Sequence, residues 1–82
     1  MNDERVAAAL AAYLDHCAFV RASRALCKAN PHDAHLVTAH DQLLDANCAW
    51  WDAYLTAGGS AAAGNAAYVA RFGGTMPDRG QS

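Results

Sequence analysis

The chain has 82 residues, a formal net charge of −2 and three cysteines. A chain of this length fits one small domain, and such domains are marginally stable unless they are cross-linked or oligomeric. The acidic balance argues against nonspecific nucleic-acid binding, the odd cysteine count against a secreted disulfide scaffold, and the lack of a long uncharged apolar run against a membrane span.

The composition predicts an all-α fold. Alanine is abundant, isoleucine is absent and β-branched residues are sparse, which favours helix and is typical of a GC-rich bacterial genome or its phages. The first four residues lack the basic region of a signal peptide, so we expect a cytoplasmic protein with reduced thiols.

The first helix is predicted at about residues 3–29. Acidic Asp3 and Glu4 at its start and Lys28 near its end suit the helix dipole. Apolar residues recur along it at alternating spacings of four and three, which indicates one buried stripe. The stripe consists of Val6, Leu10, Tyr13, Cys17, Val20 and Cys27, with Arg24 as its one charged position.

The second helix is predicted at about residues 31–57. Asn30 is a suitable N-cap, Pro31 suits the first helical position, and Gly58-Gly59 provides a stop. The short link predicts an antiparallel hairpin with the first helix. A turn centred on Asn30-Pro31 makes the numbers of facing residues sum to about 61, which places Tyr13 opposite Cys48.

The third helix is predicted at about residues 60–72. Ser60 can cap it and Gly73-Gly74 can end it, whereas Gly64 weakens its middle. Residues 75–82 contain Pro, Gly and charge and are predicted to be a disordered tail. Residues 1–74 therefore form one predicted helical domain.

The second helix carries an apolar arc of about 160°, wider than the stripe of about 100° that one partner helix covers. Trp51 is predicted inside the hairpin, while Trp50 points about 100° away from it. Either the third helix folds over Trp50, or Trp50 contacts another chain. We favour the second alternative and expect a homodimeric helical bundle. The predicted interface is Leu36, Leu43, Trp50, Tyr54, Tyr68 and Phe72.

Two polar residues, His40 and Asn47, lie inside this arc. A buried polar residue often fixes helix register or oligomeric state, which is the role that we predict for both. A pH-sensitive interface through His40 is the alternative.

Beside the arc, Asp41, Asp45 and Asp52 form an acidic stripe. It is either a solvated face that Arg21 and Arg24 partly neutralise, or a surface that docks on a basic partner.

No pattern indicates catalysis, a cofactor or a physiological metal site. The histidines lack the companion ligands of known metal motifs, and the serines and glycine pairs lack a catalytic or phosphate-binding context. We therefore predict a noncatalytic adaptor or inhibitor that binds a macromolecular partner through the aromatic and acidic second helix, including the class of phage-encoded counter-defence proteins. The alternative is a metal- or ligand-binding bundle that uses His16, Cys17, His40 and Cys48.

Overall fold

The computed structural model describes residues 2 to 74, and this part of the chain forms three α-helices and no strand. Helix α1 spans Asn2–Ala29, α2 spans Ala34–Thr56 and α3 spans Ala61–Phe72. The prediction of an all-α fold is confirmed. The predicted tail, residues 75–82, lies outside the described residues. Within residues 2 to 74, no helix combines the length and apolar character needed to cross a bilayer.

Helix α2 begins at Ala34, three residues later than predicted, because Asp33 is its N-cap. The Asp33 carboxylate accepts hydrogen bonds from the backbone N–H groups of His35 and Leu36 at 3.0 and 3.2 Å. Asn30 serves the end of α1 instead, since its side-chain amide donates to the Leu26 carbonyl at 3.0 Å. Aspartate and asparagine are equally good N-caps, and here Asp33 satisfies two free N–H groups of α2.

Contacts between α1 and α2 correct the predicted register. The predicted opposition of Tyr13 and Cys48 is wrong, because the Tyr13 ring packs on Trp51 with 5.0 Å between ring centroids. The numbers of contacting residues sum to 63 or 64, in the pairs Tyr13–Trp51, Cys17–Asn47, Ser23–His40 and Cys27–Leu36. The shift follows from the later start of α2, which moves the middle of the turn to between Pro31 and His32.

Helix α3 has the ends that the sequence predicts. The Ser60 hydroxyl accepts a hydrogen bond from the Ala63 N–H at 3.1 Å, and Gly73 ends the helix in the left-handed conformation with φ of 74°. Gly58 also has a positive φ, 111°, just after α2. A residue with a side chain is strained in this conformation, so the glycine fits the helix stop.

The core of the described chain is small. Its buried apolar residues are Tyr13, Cys17, Val20, Tyr54 and Tyr68, and its one buried polar residue is Asn47. Leu10, Leu14, Trp51 and Phe72 are partly buried around the cluster of Tyr13, Cys17 and Tyr68. Helix α3 therefore packs against the side of α1 that carries Tyr13 and Cys17.

Candidate functional site

The two adjacent tryptophans have different environments. Helix α3 packs on Trp51, and a Cβ added at Gly64 would lie 2.5 Å from two atoms of its indole ring. Trp51 also packs against Tyr13 and against Tyr54, at 5.0 and 5.3 Å between centroids. Trp50 is not covered in this way and remains 42% exposed. Of the two alternatives for Trp50, the structure does not have α3 folding over it.

Two residues of the predicted interface lie in the interior, which corrects that part of the prediction. Tyr54 is 1% exposed, and its hydroxyl donates to the Ser60 carbonyl at 2.8 Å. Tyr68 is also 1% exposed, and its hydroxyl accepts from the Arg21 guanidinium at 3.1 Å. Both are buried because α3 folds back onto the helix pair, a placement that the periodicity of α2 alone does not determine.

Phe72, another predicted interface residue, is half-buried and engaged within the chain. Its ring lies 4.7 Å from that of Tyr68, and the guanidinium groups of Arg21 and Arg71 lie 5.0 and 5.2 Å from its centroid. Arg21 thus turns toward α3, and not toward the acidic stripe that it was predicted to neutralise. Arg71 forms an ion pair with Asp15 at 3.0 Å.

The other predicted interface residues, Leu36, Leu43 and Trp50, form a ridge on α2. They are seven residues apart and therefore project from nearly the same side of the helix. Leu36 and Leu43 are half-buried. The His16 ring of α1 lies 6.1 Å from the Trp50 ring, which shows where α1 borders the ridge.

Helix α1 adds two exposed apolar side chains that the predicted interface did not include. Phe19 is 67% exposed and Leu26 is 53% exposed. Phe19 follows His16 by three residues, so it lies on the side of α1 that borders Trp50. Arg21, which contacts α3, projects about 140° away from His16. The seven-residue spacing of Phe19 and Leu26 was the signal in the sequence.

The pair of α1 and α2 therefore has two faces. Helix α3 occupies one face, and we call the other the open face. It consists of Phe19, Leu26, Leu36, Leu43 and Trp50.

The predicted acidic stripe lies on another side of α2. Asp41, Asp45 and Asp52 are all exposed, and they project about 140° to 180° away from Trp50. The positions of α2 next to the ridge are instead Ala39, Ala46 and Ala53. Helix α2 therefore adds no aspartate to the open face.

The polar residues predicted to set the register both bond across the two helices. The buried Asn47 carbonyl oxygen accepts from the Cys17 thiol at 3.5 Å and lies 2.9 Å from His16 Nδ1. His40 Nδ1 lies 3.0 Å from the Ser23 hydroxyl. In residues 2 to 74, every buried side-chain nitrogen or oxygen has a hydrogen-bond partner. The register-setting role stays a prediction.

Burial shifts the pKa of two ionisable side chains in the core, Tyr13 and Cys17. Burial raises the pKa of the Tyr13 phenol, and hydrogen bonding with Cys17 adds to the effect. Burial likewise raises the pKa of the Cys17 thiol. A buried neutral thiol is a poor nucleophile and a poor metal ligand, so Cys17 acts here as a packing residue.

The residues of the alternative ligand site do not converge. His16 and Cys17 contact Asn47, whereas His40 lies seven residues before Asn47 on α2, or about 10 Å from it along the helix axis. Cys17, Cys27 and Cys48 are free thiols. Among the described residues, no three His, Cys, Asp or Glu side chains are grouped so that they could hold a metal ion.

Comparisons with known proteins return no match, whether with family models, curated proteins or solved structures. The open face, the acidic stripe and the Asn47 contacts are therefore the features of the chain that bear on its function.

Proposed function

We propose that the protein is a small noncatalytic interaction module that binds a protein partner through the open face. The observation that carries the proposal is Trp50, a large aromatic side chain that is 42% exposed on the same side of the helix pair as exposed Phe19 and Leu26. Tryptophan is enriched among the residues that dominate binding energy, and interface centres are poor in charge. Contiguous apolar surface on a small protein is a common mark of a binding site.

The proposed scaffold is an antiparallel hairpin of α1 and α2 with α3 packed on one face. Contacts between early residues of α1 and late residues of α2, such as Tyr13 with Trp51, support this arrangement. Cross-helix hydrogen bonds at Asn47 and His40 support a fixed register of the two helices. A scaffold of this kind holds Phe19 and Trp50 on the same surface. Free thiols support a cytoplasmic location.

The proposed role is that of an adaptor or inhibitor, because α2 presents a second surface. Its exposed aspartates, Asp41, Asp45 and Asp52, point away from the open face. An acidic stripe accelerates and orients the approach of a basic partner. The module would then use apolar contacts on one side and electrostatic attraction on the other.

The competing hypothesis is a metal- or ligand-binding bundle that uses His16, Cys17, His40 and Cys48. The bonds of His16 and Cys17 to Asn47 weigh against it. Metal analysis of protein purified without a histidine tag separates the hypotheses, since a stoichiometric metal would favour the bundle.

Site-specific photo-crosslinking in the cells that carry the gene tests the interaction proposal. A photoreactive phenylalanine analogue replaces Trp50, Phe19 or Val37 in separate variants. Val37 is the matched control, because it is 45% exposed on α2 but projects about 140° away from Trp50.

We expect discrete protein adducts from positions 50 and 19 and none of the same mass from position 37. Absence of adducts from both positions, or identical adducts from position 37, would contradict binding through the open face.

A further inference from the structure

We infer that the partner on the open face is a second copy of this chain. A two-fold axis would place α1 and α2 of one copy against α1 and α2 of the other, with α3 on the outside of a four-helix core. The inference rests on the proposed function and specifies the occupant of the same surface.

The small size of the core argues for an occupant that is always present. Only five apolar side chains of the described chain are fully buried, whereas six large ones are exposed. Small domains with so little burial usually gain stability from disulfides, metals or association. The three cysteines are free thiols. A second copy exists wherever the chain is made, so association with it can supply burial to every molecule.

The dimensions of the open face suit a dimer. Leu36 and Trp50 are 14 residues apart, or about 21 Å along α2, and the side chains at both ends extend the face to about 30 Å. Two helices side by side are about 20 Å wide. Each copy would bury about 600 Å², and the pair about 1,200 Å², which reaches the lower limit of stable specific interfaces.

The distribution of charge permits self-association. Across a two-fold axis a surface meets itself, so a strongly charged face would repel its copy. On α2, the residues next to the ridge are Ala39, Ala46 and Ala53, and the aspartates project from the far side. On α1, Asp15 lies one turn before Phe19, and its charge is offset by the ion pair with Arg71. The small alanine side chains also allow two α2 helices to approach closely.

The test is the solution mass of the purified full chain, measured by sedimentation over a dilution series. Phe19→Asp places a charge at the centre of the face without disturbing the core, because Phe19 is 67% exposed. Val69→Asp is the matched control, because Val69 is 50% exposed on α3. We expect a wild-type dimer, a dimer for Val69→Asp, and a dissociation constant about 100-fold higher or more for Phe19→Asp, since symmetry places each substitution in the interface twice.

A second measurement needs no added charge. Trp51→Phe leaves Trp50 as the single tryptophan, and its fluorescence emission should shift to the red on dilution as the dimer separates. An emission that stays constant while the mass halves would overturn the placement of Trp50 in the interface.

A wild-type chain that stays monomeric at all concentrations would overturn the inference, as would equal dimerisation of Phe19→Asp and wild type, or equal loss in Val69→Asp. If the chain is a monomer but position 50 crosslinks to a different protein, the proposed function stands and only the second copy is refuted. If position 50 also yields no adduct, both proposals fall.

Discussion

Gly64→Ala tests the packing of α3 on Trp51. In an exposed helix this change stabilises by about 1 kcal/mol, because alanine has the higher helix propensity. Here the new Cβ would lie 2.5 Å from Cη2 and Cζ3 of Trp51 and 3.0 Å from Cε2 of Tyr54. Carbon atoms pack at about 3.5–4.0 Å, so the indole or the helix must move by about 1 Å.

Trp51 has little room to move, because Tyr13 and Tyr54 hold its ring on other sides. Forcing a methyl group into a packed core costs about 1–3 kcal/mol. With the propensity gain of about 1 kcal/mol subtracted, we expect Gly64→Ala to lower the free energy of unfolding by up to about 2 kcal/mol. Urea denaturation monitored by circular dichroism measures this change in the free energy of unfolding. All variants are compared at one fixed protein concentration, because association would add to stability.

Two companion variants make the result specific. Asn65→Ala changes the adjacent exposed position and should raise the free energy of unfolding by up to about 0.5 kcal/mol, through helix propensity alone. In a Trp51→Leu background, Gly64→Ala should no longer destabilise, giving a coupling of about 1 kcal/mol or more. If Gly64→Ala is at least as stable as wild type in the native background, α3 does not pack on Trp51 as described.

Three further predictions follow from the core and the tryptophans. Trp51→Ala should lower the free energy of unfolding by about 3 kcal/mol in denaturation, and by more than Trp50→Ala does at concentrations where the chain is monomeric; equal losses would contradict the two environments. Native alkylation followed by mass spectrometry should modify Cys17 last of the three thiols, because it is fully buried; early labelling would refute its burial. Because the pKa values of Tyr13 and Cys17 are raised in the folded chain, unfolding releases protons at alkaline pH. The contribution of these two groups to stability should be constant below about pH 8.5 and should then fall by about 1.4 kcal/mol per pH unit for each group, from about pH 8.5 for Cys17 and from about pH 10 for Tyr13. Tyr13→Phe should reduce that slope, and an unchanged alkaline slope would count against the shift at Tyr13.

The helices could be predicted because their signals are local. Ser60 and Gly73 act on the turn that they belong to, and the structure uses both as predicted. The start of α2 could not be resolved, because Asn30 and Asp33 are both good caps and local propensity does not rank them. That ambiguity of three residues was enough to shift the register between α1 and α2.

The site was predicted only in part, because periodicity describes one helix at a time. It placed Leu36, Leu43 and Trp50 on one side of α2, but it did not show which side of the α1–α2 pair α3 would cover. Tyr54 belongs to the same periodic arc and is nevertheless buried beneath the turn into α3. Whether a residue at the edge of an arc is interior or surface depends on where the third helix lies, which is a nonlocal property.

Tyr54 fixes the length of the connection between α2 and α3, residues 57–60. The Tyr54 carbonyl accepts from the Gly59 N–H at 3.1 Å, its hydroxyl donates to the Ser60 carbonyl at 2.8 Å, and its ring occupies the space that a side chain at Gly59 would need. The turn at residues 30–33 is instead exposed throughout. The two connections thus differ in their capacity to accept inserted sequence. A reporter or fused domain between Pro31 and His32 would interrupt an exposed backbone hydrogen bond, from the Asp33 N–H to the Asn30 carbonyl, whereas one residue added between α2 and α3 would break both attachments of the buried Tyr54.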